Sequence, residues 1–169
     1  MLKTGENLCV GGGNDWNTCF RDILADPWGN DSIDVVATDP YPGTWCCGSN
    51  YRDWGALDTL LQIACDFGKE AATMETGFST FDEPDNDQDN QDDFVNDALD
   101  EILTKTGTHN RQYPASAVQL TSWHELKDAC TGCWTFPRQE PNFGIMMSNP
   151  PWGAKLAYDD LRYQVSRWQ

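Results

Sequence analysis

The stretch IDVVATDPYPGTWCCGSNYRDWGALDTLLQIACDFG, residues 33–68, has the clearest secondary-structure pattern in the chain. Its first five residues are rich in β-branched side chains and are followed by turn formers, which predicts a strand over 33–37 and then a loop. Four apolar residues further along recur at positions i, i+3, i+4 and i+7, which predicts a helix over 55–67. Gly68 is expected to end this helix in a left-handed cap. The apolar residues of the helix are Leu57, Leu60, Leu61 and Ala64.

The alternation of short strands and amphipathic helices extends to both sides of this stretch. We therefore expect a single compact domain over residues 1–169, of the α+β class, with a layered α/β sheet as the alternative. Ser122 and Glu125 have the spacing of a capping box, which predicts the start of a short helix. The other predicted elements are helices over 18–24, 93–106 (closed by Gly107) and 154–168, and strands over 117–121 and 142–148.

Charge is the most unusual feature of the composition. The 169 residues include 27 acids and 11 bases, which gives a formal net charge of −16. Coulomb repulsion then opposes binding to nucleic acids and to anionic membranes, so neither is expected as a partner. No run approaches the ~20 apolar residues of a membrane span. Hydrophobic residues make up 39% of the chain, which is enough to form a buried core.

The cysteines favour a domain that is stabilised by disulfides. The adjacent pair of Cys46 and Cys47 supports this, because neighbouring residues of an extended chain point to opposite faces and would bridge to two different partners. Metal binding or free thiols are the alternative, since Cys130-x-x-Cys133 also has the spacing of a zinc-ligand pair. The seven disulfide candidates are Cys9, Cys19, Cys46, Cys47, Cys65, Cys130 and Cys133.

The cellular location follows from the state of these cysteines. Disulfides indicate an extracellular protein, in which Asn30-Asp31-Ser32 would be a glycosylation acceptor. Residues 1–7, MLKTGEN, lack the apolar region of a signal peptide. We therefore expect an extracellular protein whose signal peptide was removed, with a cytoplasmic protein as the alternative.

An acidic segment is expected to form a solvated loop at about residues 81–93. Within it, Asp85, Asp87 and Asp89 have the alternate spacing of the first three ligands of an EF-hand calcium loop. The rest of that loop does not fit, because its twelfth position is Asn96, where a bidentate glutamate belongs. The three aspartates are therefore a weak calcium candidate, and no other cofactor is predicted.

Three tryptophans are candidates for binding a partner. Trp45, Trp54 and Trp152 lie in segments rich in glycine, proline, aspartate and asparagine, which predicts loops. Exposed loop tryptophans stack on sugars or anchor protein interfaces, whereas buried ones hold a loop to the core. A protein or a glycan is therefore the expected partner.

Two segments resemble a motif of an enzyme family. TDPYP at residues 38–42 continues the first predicted strand, and NPPW at residues 149–152 follows another predicted strand. They resemble the strand-plus-DPPY and NPPY/F/W elements of amino-methyltransferases that act on DNA. The resemblance implies that Asn149 and Trp152 hold the target amino group and that S-adenosylmethionine is bound. No other motif predicts a catalytic residue.

The composition and the motifs support three functional hypotheses. The first is a secreted, disulfide-stabilised binding or effector-like module that acts through protein or glycan recognition and is not an enzyme. The second is an intracellular acidic inhibitor or nucleic-acid-mimicking decoy, which would occupy a basic partner through the acidic segment. The third is an enzyme with the methyltransferase-like NPPW element.

Overall fold

The computed structural model describes residues 2–3, 16–45, 50–82, 84–130 and 137–167. The predicted mixture of helices and short strands is confirmed. The chain divides into two units. The first unit comprises Met1–Pro40, Trp54–Thr76 and Lys105–Ser122, and the second comprises Tyr41–Asp53, Gly77–Thr104 and Trp123–Gln169.

Four strands and six α-helices lie within the described residues. The strands are β1 (Leu2–Lys3), β2 (Val35–Thr38), β3 (Glu70–Thr76) and β4 (Val118–Trp123). The helices are α1 (Trp16–Ala25), α2 (Pro27–Ser32), α3 (Gly55–Phe67), α4 (Gln88–Asp93), α5 (Leu99–Gln112) and α6 (Ala157–Ser166). A π-helical turn, Phe94–Ala98, joins α4 to α5. None of the described helices has the length and apolar composition of a membrane span.

The sheet has the sequential order β1-β2-β3-β4, and its first three strands run parallel. Val36 of β2 pairs with Leu2 on one side and with Ala71 on the other. Helices separate all consecutive strands along the chain. Of the two arrangements considered from the sequence, this parallel sheet fits the layered α/β alternative better than the α+β class.

Helix α3 confirms both the predicted helix over 55–67 and its cap. Leu57, Leu60 and Ile63 are fully buried, and the helix packs against β2 and β3. Gly68 has a φ of 64°, which is the left-handed region that glycine adopts without a steric penalty. Its N–H donates to the carbonyls of the last turn, so the chain turns directly into β3.

Strand β3 is missing from the sequence-based prediction. Its sequence, EAATMET, does not alternate apolar and polar residues. Ala71 and Ala72 are adjacent and so point to opposite faces, yet both are almost completely buried. A parallel strand that is covered on both faces has no period of two, and this removes the signal by which strands are recognised.

Two predicted boundaries are wrong. Ser122 lies inside β4, which runs on to Trp123, so Ser122 and Glu125 do not open a helix. Helix α5 passes through Gly107 and ends at Gln112, where the Tyr113 N–H still donates to the carbonyl of His109 at 2.7 Å. A single glycine costs a helix only about 1 kcal/mol, so it does not end a helix by itself.

The segment 142–148 contains buried apolar residues but is not the predicted strand. The Asp128 N–H donates to the carbonyl of Met146, and the Lys155 N–H donates to the carbonyl of Ile145, both at 2.9 Å. The backbone of this segment thus bonds to the loops on its two sides. Its burial follows from these contacts and not from a place in the sheet.

Candidate functional site

Two carboxylates lie at the carboxyl edge of the parallel sheet in the first unit. Asp39 directly follows β2, and Glu75 is the next-to-last residue of β3. Because Thr38 pairs with Thr73, the two acids lie on neighbouring strands at the same edge, but their side chains extend from opposite faces of the sheet. Both residues are half-buried. Parallel α/β sheets bind their substrates at this edge, so Asp39 and Glu75 are the candidate reactive groups.

Buried threonines flank Glu75 along β3. Thr73 and Thr76 are 0% exposed, and no described group is hydrogen-bonded to either Oγ1 atom. An interior hydroxyl without a partner costs about 1–3 kcal/mol, so core packing alone would favour apolar residues here. Thr73 lies two residues from Glu75 and therefore on the same face of the strand. The carboxyl end of β3 is thus unusually polar for a buried strand.

The second unit contains a cluster of aromatic rings around Phe143. The rings of Tyr41 and His124 contact Phe143 with centroid separations of 5.2 and 5.3 Å, and Trp45 lies 6.3 Å from it. Phe143 is buried, whereas Trp45 is 44% exposed. An exposed indole that packs against a buried ring keeps one face available for stacking.

A cavity of about 350 Å³ lies in the same unit. Two of its lining side chains, Glu125 and Glu140, are acids that can accept hydrogen bonds from hydroxyl groups. The described lining residues are His124, Glu125, Ala129, Cys130, Glu140 and Pro141. The combination of carboxylates with apolar walls is compatible with a small polar ligand.

Lys155 links three loops of the second unit through its buried ammonium group. Its Nζ donates to Asp128 Oδ1 at 2.7 Å, to Thr80 Oγ1 at 2.8 Å and to the carbonyl of Asn142 at 3.1 Å. Burial lowers the pKa of Lys155, and the bond to Asp128 opposes this shift. All three protons of the ammonium are used in these bonds, which indicates a structural role.

The three predicted binding tryptophans lie in different surroundings. Trp54 is only 2% exposed and precedes α3, so it is a core residue and is not accessible to a partner. Trp45 and Trp152 reach the surface, with exposed fractions of 44% and 53%. They are the two members of the predicted set that can contact a ligand.

The NPPW segment, residues 149–152, forms a turn. The Trp152 N–H donates to the carbonyl of Asn149 at 2.8 Å, and the Met147 N–H donates to the carbonyl of Gly153 at 2.9 Å. In the described structure this turn does not follow a strand of the sheet, which is where the methyltransferase resemblance would place it. Of the two segments, only TDPYP, which begins at the last residue of β2, lies at the end of a strand as the resemblance implies.

The cysteine predictions fall largely outside the described residues, which include Cys19, Cys65 and Cys130 but not Cys9, Cys46, Cys47 or Cys133. Cys65 lies in α3 and has a free thiol. Cys19 and Cys130, the other two described cysteines, are disulfide-bonded. The pairing of the seven cysteines and the extracellular location stay predictions.

The acidic segment is a loop only as far as Asp87, because α4 begins at Gln88. Asp87 caps this helix: its carboxylate accepts the Asn90 N–H at 2.9 Å, and the Asn90 side chain accepts the Asp87 N–H at 3.3 Å. Asp89 lies in the first turn, where a negative charge suits the helix dipole. Across the described ranges, no three His, Cys, Asp or Glu residues are grouped as metal ligands. Calcium binding at Asp85, Asp87 and Asp89 stays a prediction.

No protein-family profile and no curated protein sequence matches the chain. Its fold is similar to parts of several solved structures. A GH2 beta-galacturonidase from Eisenbergiella tayi, bound to glycerol, matches with a TM-score of 0.57 and 19% identity, over 79% of this chain and 24% of its own. The CBM22-1–GH10 modules of the Clostridium thermocellum xylanase 10B, complexed with xylohexaose, match with a TM-score of 0.56 and 16% identity, over 85% of this chain and 26% of their own. A Bifidobacterium dentium beta-glucuronidase, complexed with coumarin-3-O-glucuronide, matches with a TM-score of 0.52 and 18% identity, over 81% of this chain and 21% of its own.

The likeness is one of fold. Identities of 16–19% do not transfer an activity, and the chain spans 21–26% of the length of these three proteins. All three are named as enzymes that act on carbohydrates. The three matches cover 79–85% of this chain.

Sequence reasoning missed Glu75 because it missed β3. Asp39 was visible in the TDPYP element that follows the first predicted strand, but nothing in the sequence paired it with a second acid. The signal that could have found Glu75 is the sequence ETG at residues 75–77, an acid and a turn former after a short buried run. In a parallel sheet such acids mark the substrate edge.

Proposed function

We propose that this chain acts on carbohydrates as part of a glycoside-hydrolysing protein, with Glu75 as a reacting carboxylate. The observation that carries the proposal is the position of the half-buried Glu75 at the carboxyl edge of β3, next to the end of the parallel strand β2. Substrate binding at this edge is the general rule for barrels and sheets of parallel strands. The solved structures of similar fold suggest the substrate class, since they are carbohydrate-active enzymes.

Hydrolysis of a glycosidic bond requires two carboxyl groups with different tasks. One protonates the leaving oxygen, and the other either attacks the anomeric carbon or activates a water molecule. We assign the second task to Glu75, which is half-buried between buried threonines and so partly shielded from solvent. The acid is not assigned to Asp39, because the pairing of Thr38 with Thr73 directs Asp39 to the opposite face of the sheet from Glu75.

The test compares Glu75 with another glutamate of the same strand. Glu70 lies at the amino end of β3, and its carboxylate accepts a hydrogen bond from Gln119 at 3.0 Å. The purified chain is assayed on p-nitrophenyl β-glucuronide, β-galacturonide and β-xyloside. Loss of the reacting carboxylate in Glu75→Gln should lower kcat by about 10²–10⁴-fold. Glu70→Gln should leave kcat unchanged.

The assay also separates catalysis from binding alone. A chain that hydrolyses none of these glycosides contradicts the proposed activity, and so does a Glu75→Gln variant with full activity. Binding of xylohexaose without hydrolysis would favour a glycan-recognition module instead. That second function is supported by Trp45, whose half-exposed ring rests on Phe143.

A further inference from the structure

Two buried threonines form a polar layer next to Glu75 in the first unit. Thr38 of β2 pairs with Thr73 of β3, and their exposed fractions are 3% and 0%. Paired residues of neighbouring strands point to the same face of a sheet, and so does Glu75, which lies two residues beyond Thr73. The preceding layer on this face consists of Val36 and Ala71, which are apolar and fully buried. The face therefore changes from apolar to polar where it approaches Glu75.

The hydroxyl group of Thr73 is buried without a protein partner in the described part of the chain. A buried hydroxyl that stays unpaired is costly, whereas an apolar side chain of the same shape would avoid that cost. Residues i and i+2 of a strand lie roughly 7 Å apart, a span that one water molecule can bridge. A water molecule between Thr73 and Glu75 would satisfy the hydroxyl group and account for a threonine at this position.

The charged groups around Glu75 do not replace these hydroxyls. Burial opposes the ionisation of a carboxyl group, and hydrogen bonds donated to the carboxylate favour it. The other residues of β2 and β3 on this face are uncharged, and so are all residues of β4. Helix α3 packs against β2 and β3, and each of its two acids bonds to a base on another helix, Asp58 to Lys105 and Asp66 to Arg21. Of the described groups on this face, the threonine hydroxyls are therefore the donors available to Glu75.

We propose that Thr73 is a positioning residue for Glu75, whose carboxylate it holds in the ionised form through one internal water molecule. The water accepts a hydrogen bond from the Thr73 hydroxyl group and donates one to Thr38 Oγ1 and one to the Glu75 carboxylate. Three polar partners are typical of an internal water molecule. The use of the ionised carboxylate in catalysis rests on the proposed function, whereas the water site itself does not.

Strand β3 contains its own matched control for this role. Thr76 is also 0% exposed, and no partner for its Oγ1 atom lies among the described residues. Because Thr76 is adjacent to Glu75 in the strand, it points to the opposite face of the sheet. Thr73→Val and Thr76→Val thus remove the same buried group from the two faces. Thr73→Ser keeps the hydroxyl group and removes only a methyl group.

Carbon-13 NMR of the full chain, with the side-chain carboxyl carbon of Glu75 followed through a pH titration, tests the proposal. Thr73→Val removes a donor from the charged form, so the acid dissociation constant of Glu75 should fall by about tenfold. Thr73→Ser and Thr76→Val should leave this constant unchanged. Where the chain hydrolyses a glycoside, the acidic limb of its kcat/KM profile should move to higher pH by the same factor in Thr73→Val alone.

Three results would overturn the role of Thr73. They are an unchanged dissociation constant in Thr73→Val, an equal change in Thr76→Val, and a change in Thr73→Ser as large as that in Thr73→Val. Should Thr73→Val fail to fold, Thr73→Ala and Thr76→Ala provide the same comparison. The titration does not need hydrolysis. An inactive chain that shows the shift would contradict only the proposed function, and an active chain without the shift would contradict only the water site.

Discussion

The carboxyl edge of β3 and the acidic segment at residues 81–93 both contain carboxylates, but the two sets differ in burial and in their neighbours. At the edge of the sheet, a half-buried glutamate lies among buried threonine hydroxyls. In the acidic segment, the aspartates lie at the surface or stabilise the helix that begins there, as Asp87 does by capping α4. Carboxylates in the two regions therefore differ in their burial and in the groups around them, and not only in their number.

Breaking the one fully buried acid–base pair of the described residues should have the largest effect on stability. Lys155 and Asp128 have side-chain exposures of 1% and 0%. Lys155→Ala leaves the Asp128 carboxylate buried without its ammonium partner, which should lower the free energy of unfolding by about 3–5 kcal/mol. Urea denaturation measures this change. Lys127→Ala, at an exposed position of the same loop, is the control, and an equal loss there would show that burial of the pair is not the cause.

The structural role of the acidic segment can be tested at its helix cap. Asp87→Ala removes the carboxylate that accepts the Asn90 N–H, so the free energy of unfolding should fall by about 1 kcal/mol. Asp85→Ala, at an exposed position two residues earlier, should change it by less than half of that amount. Measurements with EDTA and with calcium separate capping from metal binding. A loss that occurs only in calcium would support the predicted calcium site.

Elements with one solvent-exposed face could be predicted from the sequence, whereas elements buried on both faces could not. Helix α3 has one buried and one solvated face, so its apolar period and its terminal Gly68 identified it directly. Strand β3 is covered on both faces and lacks any period, so the strand was not predicted, and the acid and turn former at residues 75–77 were the only local mark of its end. The same limit applies to residues 142–148, where burial alone suggested a strand although the backbone bonds to adjacent loops.

The candidate site was predictable only in part, because it depends on which strands are neighbours. Asp39 follows a strand that the sequence reveals, but its pairing with the β3 edge comes from the register between Thr38 and Thr73. Trp54, by contrast, has the composition of a loop tryptophan and is nevertheless in the core. Contacts between residues far apart in sequence decided both cases.

A surface ion pair gives the smallest predicted effect and checks the role of exposed acids. Arg21 Nη1 lies 2.6 Å from Asp66 Oδ2, and this bond lowers the pKa of Asp66 below 3.8. A lowered pKa means that the stabilisation is present above pH 3.8 and is lost as the pH falls through the folded-state value. Asp66→Asn should therefore lower the Tm slightly at pH 7 and by less at pH 2. A Tm difference of the same size at both pH values would contradict the ion-pair explanation.

The ratio of kcat between Glu70→Gln and Glu75→Gln on the best p-nitrophenyl glycoside decides whether Glu75 is the reacting carboxylate. Both substitutions remove one carboxylate from β3, but at opposite ends of the strand. A reacting carboxylate at the carboxyl edge predicts a ratio of about 10² or more. A ratio near one, in a chain that hydrolyses the glycoside, would show that the chemistry resides elsewhere in the molecule.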